Sequence, residues 1–211
     1  NDNYVRITCD HDNNRRKVDL YGPDMKLIKK LHEGSYNWNS KTAFVPRITT
    51  VCSDGRIFIS DSENGFIINV FDYHGVHLRT IDKNDIIEKI RITDEHKEAY
   101  FDEVKNTQSE WVYNNAKNND FPEFFPQIHN FQVSGNRIYG TTFNRNNDRH
   151  ELLILDLEGN ILKRDFVEMR SKMNYRRILR TDLFAFDNGT LYEIVKNNET
   201  GNWEFLKTVI Q

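Results

Sequence analysis

The chain has 211 residues, of which 37% are hydrophobic and 29% charged, with a net charge of −3; that is enough for one sizeable core or a short row of repeats. Aromatic residues reach 12% and bury large areas each, so the polar average does not signal disorder. Lys and Arg are interspersed with Asp and Glu rather than gathered in the basic stripe of a nucleic-acid binder, and no apolar run approaches the roughly 20 residues of a membrane-spanning helix.

The first residue, Asn1, fits a chain that is processed, truncated or recorded from an internal point. From there Tyr4–Thr8, Arg16–Tyr21 and Met25–Leu31 read as three short strands, the last two joined at Gly22-Pro-Asp24. Cys9 and Cys52 lack metal-ligand spacing. They read as buried free thiols, with a single disulfide open if they face each other.

Next comes Cys52-Ser-Asp-Gly55-Arg-Ile-Phe-Ile-Ser60, a Gly-bearing turn leading into a strand, with Ile48–Val51 as the strand before it. Two later stretches repeat this phrase: Val133-Ser-Gly135-Asn-Arg-Ile-Tyr-Gly-Thr141 after Ile128–Val133, and Phe186-Asp-Asn-Gly189-Thr-Leu-Tyr-Glu-Ile194 after Leu183–Phe186. A second phrase follows the first two. VFDYHGVHLRTI runs from Val70 to Ile81 and ILDLEGNILKRD from Ile154 to Asp165. Asp72 and Asp156 each start a turn, because a carboxylate accepts bonds from backbone amides two residues on. Gly75 and Gly159 close it, because a left-handed backbone is cheap only at glycine. The flanking strands are Ile67–Phe71 with Val76–Ile81, and Leu152–Leu155 with Asn160–Phe166.

Each unit is therefore a four-stranded antiparallel meander, which cannot cover both its faces alone and must stack on others. Radial stacking of such units gives a β-propeller; a sandwich would not repeat the same two-hairpin phrase in every unit. The expected fold class is all-β: a β-propeller with four-stranded blades, as a single domain or a partial propeller over 1–211. Two blades are complete, at about 46–81 and 126–167. Two are incomplete, one at each end, the last ending with Thr190–Val195 and Trp203–Val209, so that either the chain is the C-terminal part of a larger propeller or its two ends pair in a small or dimeric ring. A helical insertion interrupts the repeat over 82–120. Thr93 caps a helix with Asp94 and Glu95 in its first turn, and Ala99, Tyr100, Val104, Trp111 and Val112 recur along one packed stripe.

Ile59-Ser-Asp61 followed by Ile68-Asn-Val-Phe-Asp72 and Gly75 resembles the NHL-type repeat. The run ITDEHKEAY and then FPEFFPQIHNFQVSGNRIYGTTF resembles bacterial six-bladed β-propeller proteins of the NHL-like (TolB-like) type. The likeness covers about 45–210 and departs from the pattern at Ser134-Gly135-Asn136, where an Asp-rich turn is usual. It implies six blades, of which this chain would be the C-terminal portion. The missing blades would come from another polypeptide or a second copy. It also implies a periplasmic, extracellular or lipid-anchored protein, and carries no catalytic residues across.

For function, His74 and His77 stand three apart in and after a turn, which points them to opposite faces and away from joint metal binding. Asp61, Asp72 and Asp156 read as turn-holders. His129 stands at the start of a predicted innermost strand, Gln127 just before it, Arg47 in the corresponding place one blade earlier, and Arg180 ahead of the final blade. As a set they would line one mouth of the channel and bind an anionic or sugar-like ligand, the competing account being ordinary exposed polar residues at loop ends. No nucleophile elbow, phosphate-cradling loop or metal-ligand cluster is visible. The expectation is a non-catalytic binding or scaffold propeller that takes a protein or small-molecule partner at the loop-rich mouth and needs no cofactor. The alternative is a metal-dependent, lactonase-like hydrolase or lyase, which would require a divalent cation in the channel.

Overall fold

In the computed structural model the described residues are 3–35, 43–44, 47–147, 149–170, 183–197 and 199–210. The strands run β1 Tyr4–Asp10, β2 Arg15–Tyr21, β3 Leu27–Ser35, β4 Ile48–Ser53, β5 Arg56–Asp61, β6 Ile67–Asp72 and β7 His77–Asp82. After helices α1 (Asp94–Thr107) and α2 (Glu110–Ala116) come β8 Asn130–Ser134, β9 Arg137–Asn146, β10 Arg149–Asp156, β11 Ile161–Glu168, β12 Phe184–Asp187, β13 Thr190–Lys196 and β14 Trp203–Val209. These strands make four antiparallel meanders, β1-β2-β3, β4-β5-β6-β7, β8-β9-β10-β11 and β12-β13-β14, consistent with propeller-like blades. The two middle meanders have four strands and the outer two have three.

The chain divides into two compact units, residues 1–40 with 46–83 and residues 41–45 with 84–211. In the first, sheet β1-β2-β3 packs face to face on sheet β4–β7: Val18, Leu20 and Leu31 meet Ile48, Ile57, Ile59 and Phe71. In the second, Tyr139, Leu152 and Ile154 of sheet β8–β11 are covered by Phe184, Phe186 and Leu191 of sheet β12-β13-β14. Alternation along each strand sends every second side chain to such a contact. Burial of these side chains at about 25 cal/mol per Å² of apolar surface drives the stacking.

In the last three meanders the turns between first and second strands share one conformation. Asp54-Gly55, Gly135-Asn136 and Asn188-Gly189 all have positive φ at both central positions, the two-residue turn that matches the twist of a hairpin. The Gly-Asn version at 135–136 therefore serves as well as an Asp-bearing one. Gly135 is also needed for space, since a Cβ there would sit 2.1 Å from Asn188 Oδ1.

The third-to-fourth-strand turns share a different geometry. Asp72 Oδ1 accepts the amides of His74 (2.9 Å) and Val76 (2.8 Å), and the Gly75 amide donates to the Asp72 carbonyl at 3.0 Å. Asp156 does the same, with Oδ1 accepting the Asn160 amide at 2.8 Å and its carbonyl accepting the Gly159 amide at 3.1 Å. Gly75 and Gly159 have φ of 79° and 91°. The first meander makes this turn too, with the residues exchanged. Gly22 donates to Lys26 and accepts from Met25, both at 2.9 Å, while Met25 holds the left-handed position at φ 59°. A side chain there costs about 1–2 kcal/mol. Replacing Met25 with glycine is therefore expected to stabilise the protein by about 1 kcal/mol, read as a rise in urea midpoint at constant m-value; an unchanged or lower midpoint would contradict it.

The insertion contains two helices rather than one continuous stripe. Thr93 caps α1, its Oγ1 accepting the His96 amide at 3.4 Å while His96 Nδ1 accepts the Thr93 amide at 3.1 Å. The chain then breaks at Gln108, and Ser109 caps α2. The break resets the helical phase. Tyr100, Val104 and Ala116 are buried with Phe44 and Phe125, and Phe101, Val112, Phe121 and Phe143 pack around them. Ala99 is exposed, and Trp111 is 75% exposed. Both fall outside the expected stripe. The two cysteines are free, as expected, but exposed rather than buried; each stands one residue before the end of its strand, β1 and β4, beside the turn.

Candidate functional site

Arg47 stands one residue before β4, the edge strand that opens the second meander. Its main chain is clamped to the short 3-10 turn Ser62–Asn64 at the far end of β5. The Arg47 amide donates to Ser62 Oγ at 2.8 Å, and the Ser62 amide donates to the Arg47 carbonyl at 2.9 Å. Asp61 caps that turn, its Oδ1 accepting the Glu63 amide at 3.1 Å. Its Oδ2 lies 3.0 Å from His32 Nε2 on β3. Gly34 makes this approach feasible, because a Cβ there would lie 2.4 Å from Asp61 Oδ2. Arg16, on β2, pairs in register with Gly34. Strand ends from both sheets of the first unit thus converge around Arg47.

Arg47 is half-buried, and burial together with the charge of Arg16 pushes its guanidinium down to about 10. Among the described residues no carboxylate forms an ion pair with the Arg47 side chain. A desolvated guanidinium with a like charge beside it is a position that an anion would relieve.

The other expected site residues have different surroundings. Gln127 is buried, and its side-chain amide donates to the carbonyls of Ile87 (2.7 Å) and Asn84 (3.3 Å). Its donors are committed to holding the 84–87 loop. His129 precedes β8: its amide donates to the Thr141 carbonyl at 2.8 Å, its Nδ1 lies 3.5 Å from Thr141 Oγ1, and its ring meets Phe143 edge-on at 4.9 Å. Arg47 belongs to the first unit, and Gln127 and His129 to the second. Arg180 lies outside the described residues.

The remaining candidates have local partners. His74 is exposed in its turn with its ring centroid 3.8 Å from that of Tyr73, and His77 Nε2 lies 3.1 Å from Thr80 Oγ1. Asp61, Asp72 and Asp156 each accept backbone amides in turns. Among the described residues no group of three or more His, Cys, Asp or Glu is placed to hold a metal ion, and no helix is long and apolar enough to cross a membrane.

Sequence reading missed Arg16, His32 and Ser62 at the Arg47 corner. Arg16 and His32 reach this corner by the stacking of one meander on the next, which no local pattern encodes, whereas Ser62 faces Arg47 across the β4–β5 hairpin. Comparison of the sequence with protein-family models and with curated proteins finds no match.

Proposed function

We propose that this chain is part of a non-catalytic binding or scaffold β-propeller that takes an anionic ligand, or an anionic group on a protein partner, at the loop-bearing ends of its strands. The observation that carries the reading is Arg47: half-buried, held by its main chain to Ser62, flanked by the charge of Arg16, and without a carboxylate partner among the described residues. The repeated meanders support a propeller of the six-bladed NHL-like (TolB-like) type. On that reading the chain supplies about four blades, two of them incomplete, and works in a periplasmic, extracellular or lipid-anchored setting. A rigid stack of sheets with variable turns suits binding, since turn residues change without disturbing the frame.

The test is calorimetric titration with inorganic phosphate, sulfate and a uronic-acid sugar. Charge-assisted hydrogen bonds contribute about 1.5–3 kcal/mol each, so Arg47→Gln is expected to weaken the tightest of these at least about tenfold. Heats indistinguishable between the parent and Arg47→Gln, or no binding by the parent to any of the three, would overturn the assignment of Arg47.

A further inference from the structure

The last sheet carries an apolar face whose counterparts in the preceding sheets are covered. The shared first turn gives the correspondence: three residues after Gly55, Asn136 and Gly189 stand Phe58, Tyr139 and Tyr192, and two residues further on stand Ser60, Thr141 and Ile194. On the third strands, Ile68 pairs with Ser60, Leu152 with Thr141, and Phe205 with Ile194. Ile68 and Leu152 are 0% and 1% exposed, whereas Phe205 is 69% exposed. Trp203 and Val209 flank Phe205 on the same face at 56% and 64%, and Ile194 is 40% exposed. The ring of Phe205 stacks on Tyr192 at 5.7 Å. Such an apolar surface on a sheet is a contact surface rather than a solvated one.

We infer that this face of sheet β12-β13-β14 is a docking surface for a further antiparallel β-sheet of the same stacked kind, from sequence other than these 211 residues. The inference rests on the blade reading above. Both stacks within the chain show what covers such a face. Leu152 and Ile154 meet Phe184, Phe186 and Leu191 of the following sheet, and Val18 and Leu20 meet Ile48, Ile57 and Ile59 of theirs. The cover is in each case the aliphatic and aromatic side of another meander, and the β12-β13-β14 face continues the β8–β11 stack outward. Its charge is also specific. Lys196 and Lys207 project from it, Lys207 Nζ lying 5.9 Å from the Tyr192 ring, so the covering sheet is apolar with a carboxylate opposite them.

A second copy of this chain fits poorly. Two such faces apposed would bring four lysine ammonium groups together. The side of sheet β1-β2-β3 that does not carry Val18 and Leu20 is mostly charged, unlike the aliphatic and aromatic covers of the two stacks: around Tyr4, Tyr21 and Leu27 it presents Arg6, Lys17, Asp19, Lys30 and Glu33, with the Lys17 charge already paired to Asp10 at 3.3 Å.

The experiment replaces Phe205 with benzoylphenylalanine in the protein made by its own organism, irradiates the cells and maps the adduct by mass spectrometry. The expected adduct lies on a peptide foreign to this chain that alternates apolar and polar residues and borders a Gly-, Asn- or Asp-bearing turn. Adding Ile194→Lys buries a charge in the contact and is expected to cut the adduct at least about tenfold while thermal unfolding of the purified chain stays unchanged. The same probe at Trp111, on α2, gives the background. An adduct on lipid, on a second copy of this chain, or no adduct above that background overturns the inference. None of these outcomes bears on anion binding at Arg47, which the titration reads separately.

Discussion

Replacing Arg164 with methionine is expected to lower the unfolding free energy by about 2–4 kcal/mol. The reason lies in Glu151, which is fully buried in β10. Its Oε1 accepts from Arg164 Nε at 2.5 Å and its Oε2 from Thr142 Oγ1 at 2.6 Å. Methionine preserves most of the aliphatic stem but removes the cation, leaving a buried carboxylate with one neutral hydroxyl donor. An uncompensated buried charge costs several kcal/mol. The value is placed at the lower end because the Arg164 side chain is itself 40% exposed, so water already screens part of the pair. Urea unfolding at pH 7 checks it. The double variant Glu151→Leu with Arg164→Met is expected to recover most of the loss, because an apolar pair of similar volume needs no compensation. A single variant within about 0.5 kcal/mol of the parent, the ordinary range for surface substitutions, would mean that the pair is not a buried one.

Gly75→Val is expected to cost about 2–5 kcal/mol, the sum of two separable terms. A side chain in the left-handed backbone at φ 79° costs about 1–2 kcal/mol. The remainder is steric. A Cβ at Gly75 would lie 3.0 Å from Leu31 Cδ2 and 3.2 Å from Leu20 Cδ2, both packed in the core of the first unit, and overpacking such a site costs about 1–3 kcal/mol. Gly55 gives the control. It has φ of 68°, but its nearest atom to an added Cβ is Tyr73 Cδ1 at 4.0 Å, so Gly55→Val should show the backbone term alone. Equal losses of stability for the two variants would show that the β6–β7 turn does not press on the neighbouring sheet.

Features written in consecutive residues were legible before any coordinates. Asp72 with Gly75 and Asp156 with Gly159 encode their turns through bonds spanning no more than four residues. The Asp54-Gly55, Gly135-Asn136 and Asn188-Gly189 turns encode theirs through glycine and asparagine at positive φ. Strand order followed, because short turns allow only neighbouring antiparallel pairing. Met25 shows the limit of this local code. The turn forms at Gly22–Lys26 although neither signature residue is in place, since pairing of β2 with β3 dictates the conformation from outside.

The helical insertion and the charged groups depended on tertiary packing. Trp111 shared an apparent helical stripe with Tyr100 and Val104, yet the break at Gln108 and Ser109 turned it to solvent, a phase change that composition does not announce. Glu151 sits in the run His150–Leu155, every residue of which is buried, so alternation was silent about which polar group would need a partner.

What the sequence by itself determined was the meander and its period, because a turn and its two strands are settled by residues that are neighbours in the chain. Tertiary structure alone decided which side chains are relieved of water and by whom. That is why Arg47 meets Arg16, why Gln127 is spent on the 84–87 loop, and why Phe205 is exposed where Ile68 and Leu152 are covered. Burial and charge balance are properties of one sheet laid on another, and residues that meet only by stacking leave no shared pattern in the sequence.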